Sequence, residues 1–242
     1  MIAPSPCEAS ARRRWNIELL FRSFDSAGDR NERLLRRVRE IYDPIFRCDL
    51  RGGDIGTFLS FLYLCVRLFR PRVVVQTGTA AGTSSVAIAL GLRDGEQGVL
   101  YTIDPEPPHY FGVDHPVSVA KRVAAHAGLG DRIRFVRGYS TMPLDAGRMF
   151  LPTAPTWRLP AINRTLRTDM LVVDGDHTFL GCYLDLVYGA EGLAADGPRV
   201  IVCHDYLGIS AVRQAVRRFR DSQNPSVERL IPSPCGIKFF QM

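Results

Sequence analysis

From Val73 onward the chain alternates short, β-branched apolar runs with stretches of helical periodicity, a pattern that few folds accept. Strands are expected at 73–77, 99–103, 133–137, 170–174 and 199–203, and helices at about 83–92, 116–127, 178–193 and 209–221. Five alternating units imply a doubly wound, mostly parallel sheet of the α/β class. Two last strands, near 227–231 and 236–241, flank Pro232-Ser233-Pro234-Cys235-Gly236. That segment reads as a hairpin and gives a seven-stranded sheet with an antiparallel edge. Residues 70–242 form this sheet domain, and residues 1–69 form an N-terminal helical extension. The extension shows helical patterns at about 11–24, 29–42 and 55–69, with a Gly-rich turn at Arg51-Gly52-Gly53-Asp54. The stretch 141–168, punctuated by four prolines, is expected to hold a short helix and a lid-like loop carrying Phe150 and Trp157.

Composition excludes several classes. A content of 46% hydrophobic and 23% charged residues is that of an ordinary globular chain. The longest apolar stretch, Phe58 to Phe69, is about half the ~20 residues of a membrane span, and Arg67 interrupts it. No apolar signal region precedes Arg12-Arg13-Arg14, so a cytoplasmic location is expected. Six scattered cysteines without a C-x-x-C pair read as reduced thiols. Much of the net charge of +6 comes from the first 40 residues and from Arg213, Arg217, Arg218 and Arg220. Without interleaved aromatic residues these read as solvated helix faces, so no nucleic-acid partner is expected. Leu19, Leu20, Phe21, Leu34, Leu35 and Ile41 must be covered, and a homodimer through the N-terminal helices would cover them.

The polar residues gather where the strands end. Val73-Val74-Val75-Gln76-Thr77 runs into Gly78-Thr79-Ala80-Ala81-Gly82, the kind of turn at which open α/β sheets bind cofactors. The dinucleotide fingerprint fails here, because it needs glycines at Ala80 and Thr83. Tyr101-Thr102-Ile103-Asp104 places a carboxylate at the next strand tip, where it can accept the two ribose hydroxyls of a nucleoside. Arg137-Gly138-Tyr139-Ser140-Thr141 places small hydroxyls at a third tip, suited to an adenine edge or to capping the next helix. The fourth and fifth tips, Asp174-Gly175-Asp176-His177 and Cys203-His204-Asp205-Tyr206, would bring three carboxylates and two imidazoles into one crevice. So acidic a cluster points to a divalent cation, Mg²⁺ or a relative.

Over nearly all of residues 55–242 the chain resembles class I S-adenosylmethionine-dependent methyltransferases. Within them it is similar to the catechol-type and macrocin-type sugar O-methyltransferases. The resemblance implies a cofactor pocket built from Gln76, Gly78, Thr79, Gly82 and Ser84 of the first motif, with Asp104, Ser140, Thr141 and Asp174. It implies Asp174, His204 and Asp205 as metal ligands and Asp176 or His177 as the catalytic base. Two residues depart from the family pattern. Gln76 stands where an acid is usual, and His204 stands where metal-dependent relatives tend to have an acidic ligand, which favours a softer metal or none.

The expected reaction is methyl transfer from the sulfonium to a hydroxyl of a small molecule, a phenolic or sugar-bearing natural product. Trp157, Phe150, Tyr110 and Phe111 would supply an apolar wall for the acceptor. Three other readings remain open: an NAD-dependent oxidoreductase, an RNA methyltransferase and a non-catalytic cofactor-binding module.

Overall fold

The computed structural model describes residues 17–25, 28–45, 53–110, 112–141 and 157–242. Helix α1 (17–25) leads into α2 (Gly28–Tyr42) and α3 (Gly53–Phe69). There follow β1 (Val73–Thr77), α4 (Thr83–Asp94), β2 (Val99–Asp104), the short β3 (His109–Tyr110) and β4 (Val113–Asp114), α5 (Pro116–His126) and β5 (Ile133–Arg137). The chain continues through α6 (Arg158–Thr165), β6 (Met170–Val173), α7 (Phe179–Glu191), β7 (Val200–Cys203), α8 (Ser210–Gln223), β8 (Val227–Ile231) and β9 (Ile237–Gln241).

Seven strands form one sheet in the order β5-β2-β1-β6-β7-β9-β8. The first five are parallel, and β9 runs antiparallel to both of its neighbours. Strand order reverses at β1, so the tips of β1, β2 and β6 flank a switch point, where such sheets bind ligands. Both faces are covered, and the strands obey the two-residue period. Val74, Met170, Val172, Val200 and Val202 pack under α3, α4 and α5. Val75, Leu171, Val173, Ile201 and Cys203 face Leu186 of α7 and Val212 and Phe219 of α8.

Several boundaries differ from the expectation for local reasons. Gly53 and Asp54 open α3 instead of turning, while Arg51 and Gly52 lie outside the described residues. Arg199 has φ +55°, which no strand residue adopts, so β7 starts one residue later. Thr178 caps α7 by accepting from Gly181 N at 3.1 Å, which delays that helix to Phe179. The short helix expected within 141–168 is α6, with Trp157 at its N-cap; Phe150 and Phe111 lie outside the described residues. The β3–β4 hairpin had no sequence signal long enough to read.

The apolar face of the N-terminal helices is covered in cis. Leu20, Leu34 and Leu35 are buried in the same cluster as the sheet, and Phe21 meets Phe239 edge-on at 5.6 Å. Leu19, Phe21 and Ile41 are half-buried. Among the described residues, no helix is long and apolar enough to cross a membrane. Cys65, Cys182 and Cys203 are buried free thiols.

Candidate active site

Gly78 is the pivot. Its φ of +81° and its contact with the next strand tip both demand glycine, since a Cβ there would lie 2.0 Å from Asp174 O. The turn after β1 is braced from two sides. Beneath it, buried Gln76 donates through Nε2 to Gly78 O at 2.7 Å and to Ser84 Oγ at 2.8 Å, and accepts from Ser85 Oγ at 2.9 Å. The amide thereby does what the family's usual acid could not, because a carboxylate has no proton for Gly78 O. From the other side Asp104 Oδ2 accepts from Thr79 N at 2.9 Å and Ala80 N at 3.2 Å, and Oδ1 accepts from Glu106 N at 2.8 Å.

A cleft of about 190 Å³ opens at these tips. Of the residues expected around a cofactor, Gly78, Asp104, Ser140, Thr141 and Asp174 line it, together with Asp176. Gln76, Thr79, Gly82 and Ser84 do not line it; Gln76, Thr79 and Ser84 stand behind the turn and hold its shape, and Gly82 caps α4. Sequence reasoning missed Tyr139 and the Pro105 and Pro107 walls as lining residues. The proline-rich run after Asp104 was a usable signal for a stiff wall. The loop carrying Ser140 is pinned by α6, whose first amides, Arg158 N and Leu159 N, donate to Tyr139 O and Ser140 O. Tyr110 lines the cleft from the β3–β4 hairpin, whereas Trp157 packs edge-on against Tyr188 at 5.5 Å.

Beside the cleft the tips of β6 and β7 build a charged cluster, joined to it through Asp174. His204 Nδ1 lies 3.2 Å from Asp174 Oδ1 and 3.4 Å from Asp205 Oδ2. His177 Nε2 lies 3.1 Å from Asp205 Oδ2 and 3.9 Å from Asp174 Oδ1. That nitrogen is buried without an aligned hydrogen bond, so its attraction to the carboxylates is ionic. Phe58 of α3 stacks on His204 with ring centroids 4.1 Å apart, and Tyr42 donates to Ala81 O at 2.9 Å. Asp176 turns away from the cluster, its Oδ1 accepting from Thr178 N at 2.8 Å and its Oδ2 held where a Cβ on Gly181 would stand.

These contacts set the charges. Asp174 and Asp205, against the opposing cost of burial, push the His177 pKa up to about 10. Burial pulls His204 down, but hydrogen bonding to the same two carboxylates outweighs it and lifts the imidazole to about 11. Burial works against the Asp205 carboxylate, yet the two imidazoles hold it well below the usual range. Both rings therefore carry protons at neutral pH when no metal competes for them.

A family model for a methyltransferase domain matches residues 75–206, more than half of the chain and every polar strand tip just described. The chain belongs to the methyltransferase domain family. Over 85 residues this domain is 39% identical to a protein provisionally named an O-methyltransferase from Mycobacterium sp. (strain KMS). The match spans 35% of this chain and 33% of that relative, about a third of the curated protein's length. The O-methyltransferase of Bacillus cereus, solved in complex with SAH, is similar with a TM-score of 0.55 at 18% identity over 88% of this chain and 90% of that one. TomG of Streptomyces achromogenes, an O-methyltransferase involved in tomaymycin synthesis and solved with SAM, gives 0.57 at 21% identity over 86% and 89%. At such identities the likeness is one of fold. The methyltransferase domain has the Rossmann-like, class I architecture, with its strand order and antiparallel last strand.

The cluster also tests the metal. Asp174 Oδ1, His177 Nε2 and Asp205 Oδ2 lie within 4.8 Å of one another, and the orphaned His177 nitrogen is the kind of atom an ion satisfies. Two oxygens and an imidazole suit a first-row divalent ion better than Mg²⁺, which prefers oxygen throughout.

On the far side of the cleft wall, Asp185 of α7 is fully buried. Burial raises its pKa to about 6, despite the Ser140, Thr77 and Thr141 hydroxyls around it, and Asp176 adds repulsion. A carboxyl whose folded pKa exceeds its unfolded value of about 3.9 costs nothing below pH 4. Its penalty grows as pH rises from about 4 to about 6, to about 3 kcal/mol, and persists above. Asp185→Asn should therefore gain thermal stability on the parent chain between pH 4.5 and pH 7. Melting curves at a series of pH values would check this, and a constant difference would refute the burial cost.

Proposed function

We propose that this methyltransferase domain transfers the methyl group of S-adenosylmethionine to a hydroxyl oxygen of a small acceptor, phenolic or sugar-bearing. The observation that carries this reading is Asp174, which belongs at once to the cofactor cleft and to the charged cluster. An acceptor oxygen placed against that cluster would therefore sit beside the cofactor's reactive end. In this reading Gly78, Asp104, Ser140, Thr141 and Asp174 hold the cofactor, while Gln76, Thr79, Gly82 and Ser84 keep the turn in shape. Bound there, S-adenosylmethionine supplies a methyl group on a sulfonium. The chain's own work is to align the acceptor for in-line attack and to manage its proton.

His177 is the better proton-handling group. Asp176 spends an oxygen on the start of α7, whereas His177 Nε2 faces the cluster without an aligned partner. At neutral pH it is an imidazolium, which stabilises the developing oxyanion while the hydroxyl proton leaves to solvent. It accepts that proton itself only in the neutral-ring fraction, which grows as pH rises toward about 10. Asp174 and Asp205, with His177 or His204, would hold a divalent ion, which when bound lowers the pKa of a nearby hydroxyl. We read residues 1–69 as an extension that caps the domain spanning 70–242; Phe58 on His204 and Tyr42 on Ala81 support this. Tyr110, on the cleft, supports an acceptor with a ring.

Calorimetric titration with S-adenosylhomocysteine, with and without Mg²⁺ or Mn²⁺, tests pocket and metal together. Saturable one-site binding is expected, with Mn²⁺ taken up more tightly than Mg²⁺ by the chain itself. Absence of S-adenosylhomocysteine binding would remove the proposed activity; equal indifference to both ions would remove the metal.

A further inference from the structure

The cleft wall made by Ser140 and Thr141 has a buried carboxylate directly behind it. Thr141 Oγ1 donates to Asp185 Oδ1 at 2.9 Å, and both groups are buried. Asp185 Oδ2 and Thr77 Oγ1 are also buried, and neither makes an aligned hydrogen bond. Only nearby hydroxyls, those of Ser140, Thr77 and Thr141, oppose the rise of the carboxyl pKa, and of these Thr141 makes the aligned hydrogen bond; no basic side chain among the described residues pairs with it. With that pKa near 6, the group is mostly ionised at neutral pH and so can only accept. Asparagine or leucine would fill this place at lower cost, so the charge is an unfavourable choice for stability alone.

A hydroxyl has one proton and two lone pairs. Where that proton is committed backward to Asp185, the oxygen can meet the ligand only as an acceptor. We infer that Asp185 is a positioning residue that sets the hydrogen-bond polarity of the cleft wall, so that Thr141 accepts from an amino-bearing ring edge and disfavours a carbonyl-bearing one. This inference rests on the cofactor reading above, which places the exocyclic amine of adenine at that wall. The buried negative charge also suits a cofactor that carries a positive sulfonium.

The test compares S-adenosylhomocysteine with S-inosylhomocysteine, which replaces the ring amine by a carbonyl, on the whole chain and on Asp185→Asn at pH 7.5. The parent chain should prefer the amine by about tenfold or more, the scale of one mispaired buried hydrogen bond. Asp185→Asn offers either a donor or an acceptor to Thr141 and should lose most of that preference, while melting no lower than the parent. A purely structural tie predicts the opposite pair of results: lowered melting temperature and unchanged preference. That result would overturn the inference and leave the methyltransferase reading intact. A parent chain that binds neither ligand would overturn both. If Asp185→Asn does not fold, Thr141→Val reports on the same wall: a lost preference supports the inference, and a retained one overturns it.

Discussion

Replacing Asp174 with alanine is expected to lower turnover about a thousandfold or more, while S-adenosylhomocysteine binding weakens far less. The reason is that one side chain serves two structures. Toward the cleft it is one lining group among several, so in the proposed reading a bound cofactor would lose a single contact. Toward β7 it is half of the negative charge that fixes the imidazoles of His204 and His177. Without it Asp205 alone faces both rings, and the acceptor hydroxyl loses its ordered, polar neighbourhood. Steady-state rates with a hydroxyl acceptor, set beside a cofactor titration, separate the two effects. A near-normal rate would take the whole cluster out of the chemistry.

Gly78→Ala should be the most damaging substitution for folding and cofactor binding together. A left-handed backbone at a non-glycine residue costs about 1–3 kcal/mol, and here the added methyl also meets the backbone oxygen of Asp174. Neither strand tip can yield, because β1 and β6 pair through Thr77↔Val173 immediately before the contact. A loss of about 3–5 kcal/mol follows, or on the order of 10 °C in melting temperature, with cofactor binding abolished. Thermal melts and titration of the folded fraction check this. Unaltered binding would mean that the turn is not the cofactor's cradle.

Much of the architecture was legible because its signals are local. Val74 and Val75 are buried on opposite faces of a strand paired on both sides, and the two-residue period of Met170 to Val173 separates the two core clusters. The polar residues at the strand ends were equally legible, since a carboxylate just after a buried strand has nowhere to go but the edge. What position in the sequence left open was which neighbour each side chain meets. Gln76, Thr79 and Ser84 sit in the cofactor motif, yet their side chains or amides brace the turn from behind. Asp176 stands between two cluster members in sequence, yet its Oδ1 accepts from the backbone N of Thr178, the residue that caps α7. Leu20, Leu34 and Leu35 called for a partner that the rest of the same chain supplies.

Periodicity, strand-end acids and glycine turns are properties of neighbouring residues, and they alone established the seven-stranded sheet and the tips at which its chemistry gathers. The assignment of partners across those tips needed the folded chain. Phe58 reaches His204 across 146 positions of sequence, and Asp185 lies behind Thr141 because α7 packs against β6 and α6. Charge state followed the same rule. The imidazoles hold their protons because two carboxylates from different strand tips converge on them and outweigh the opposing cost of burial, and charge pairing of that kind depends on what lies near in space.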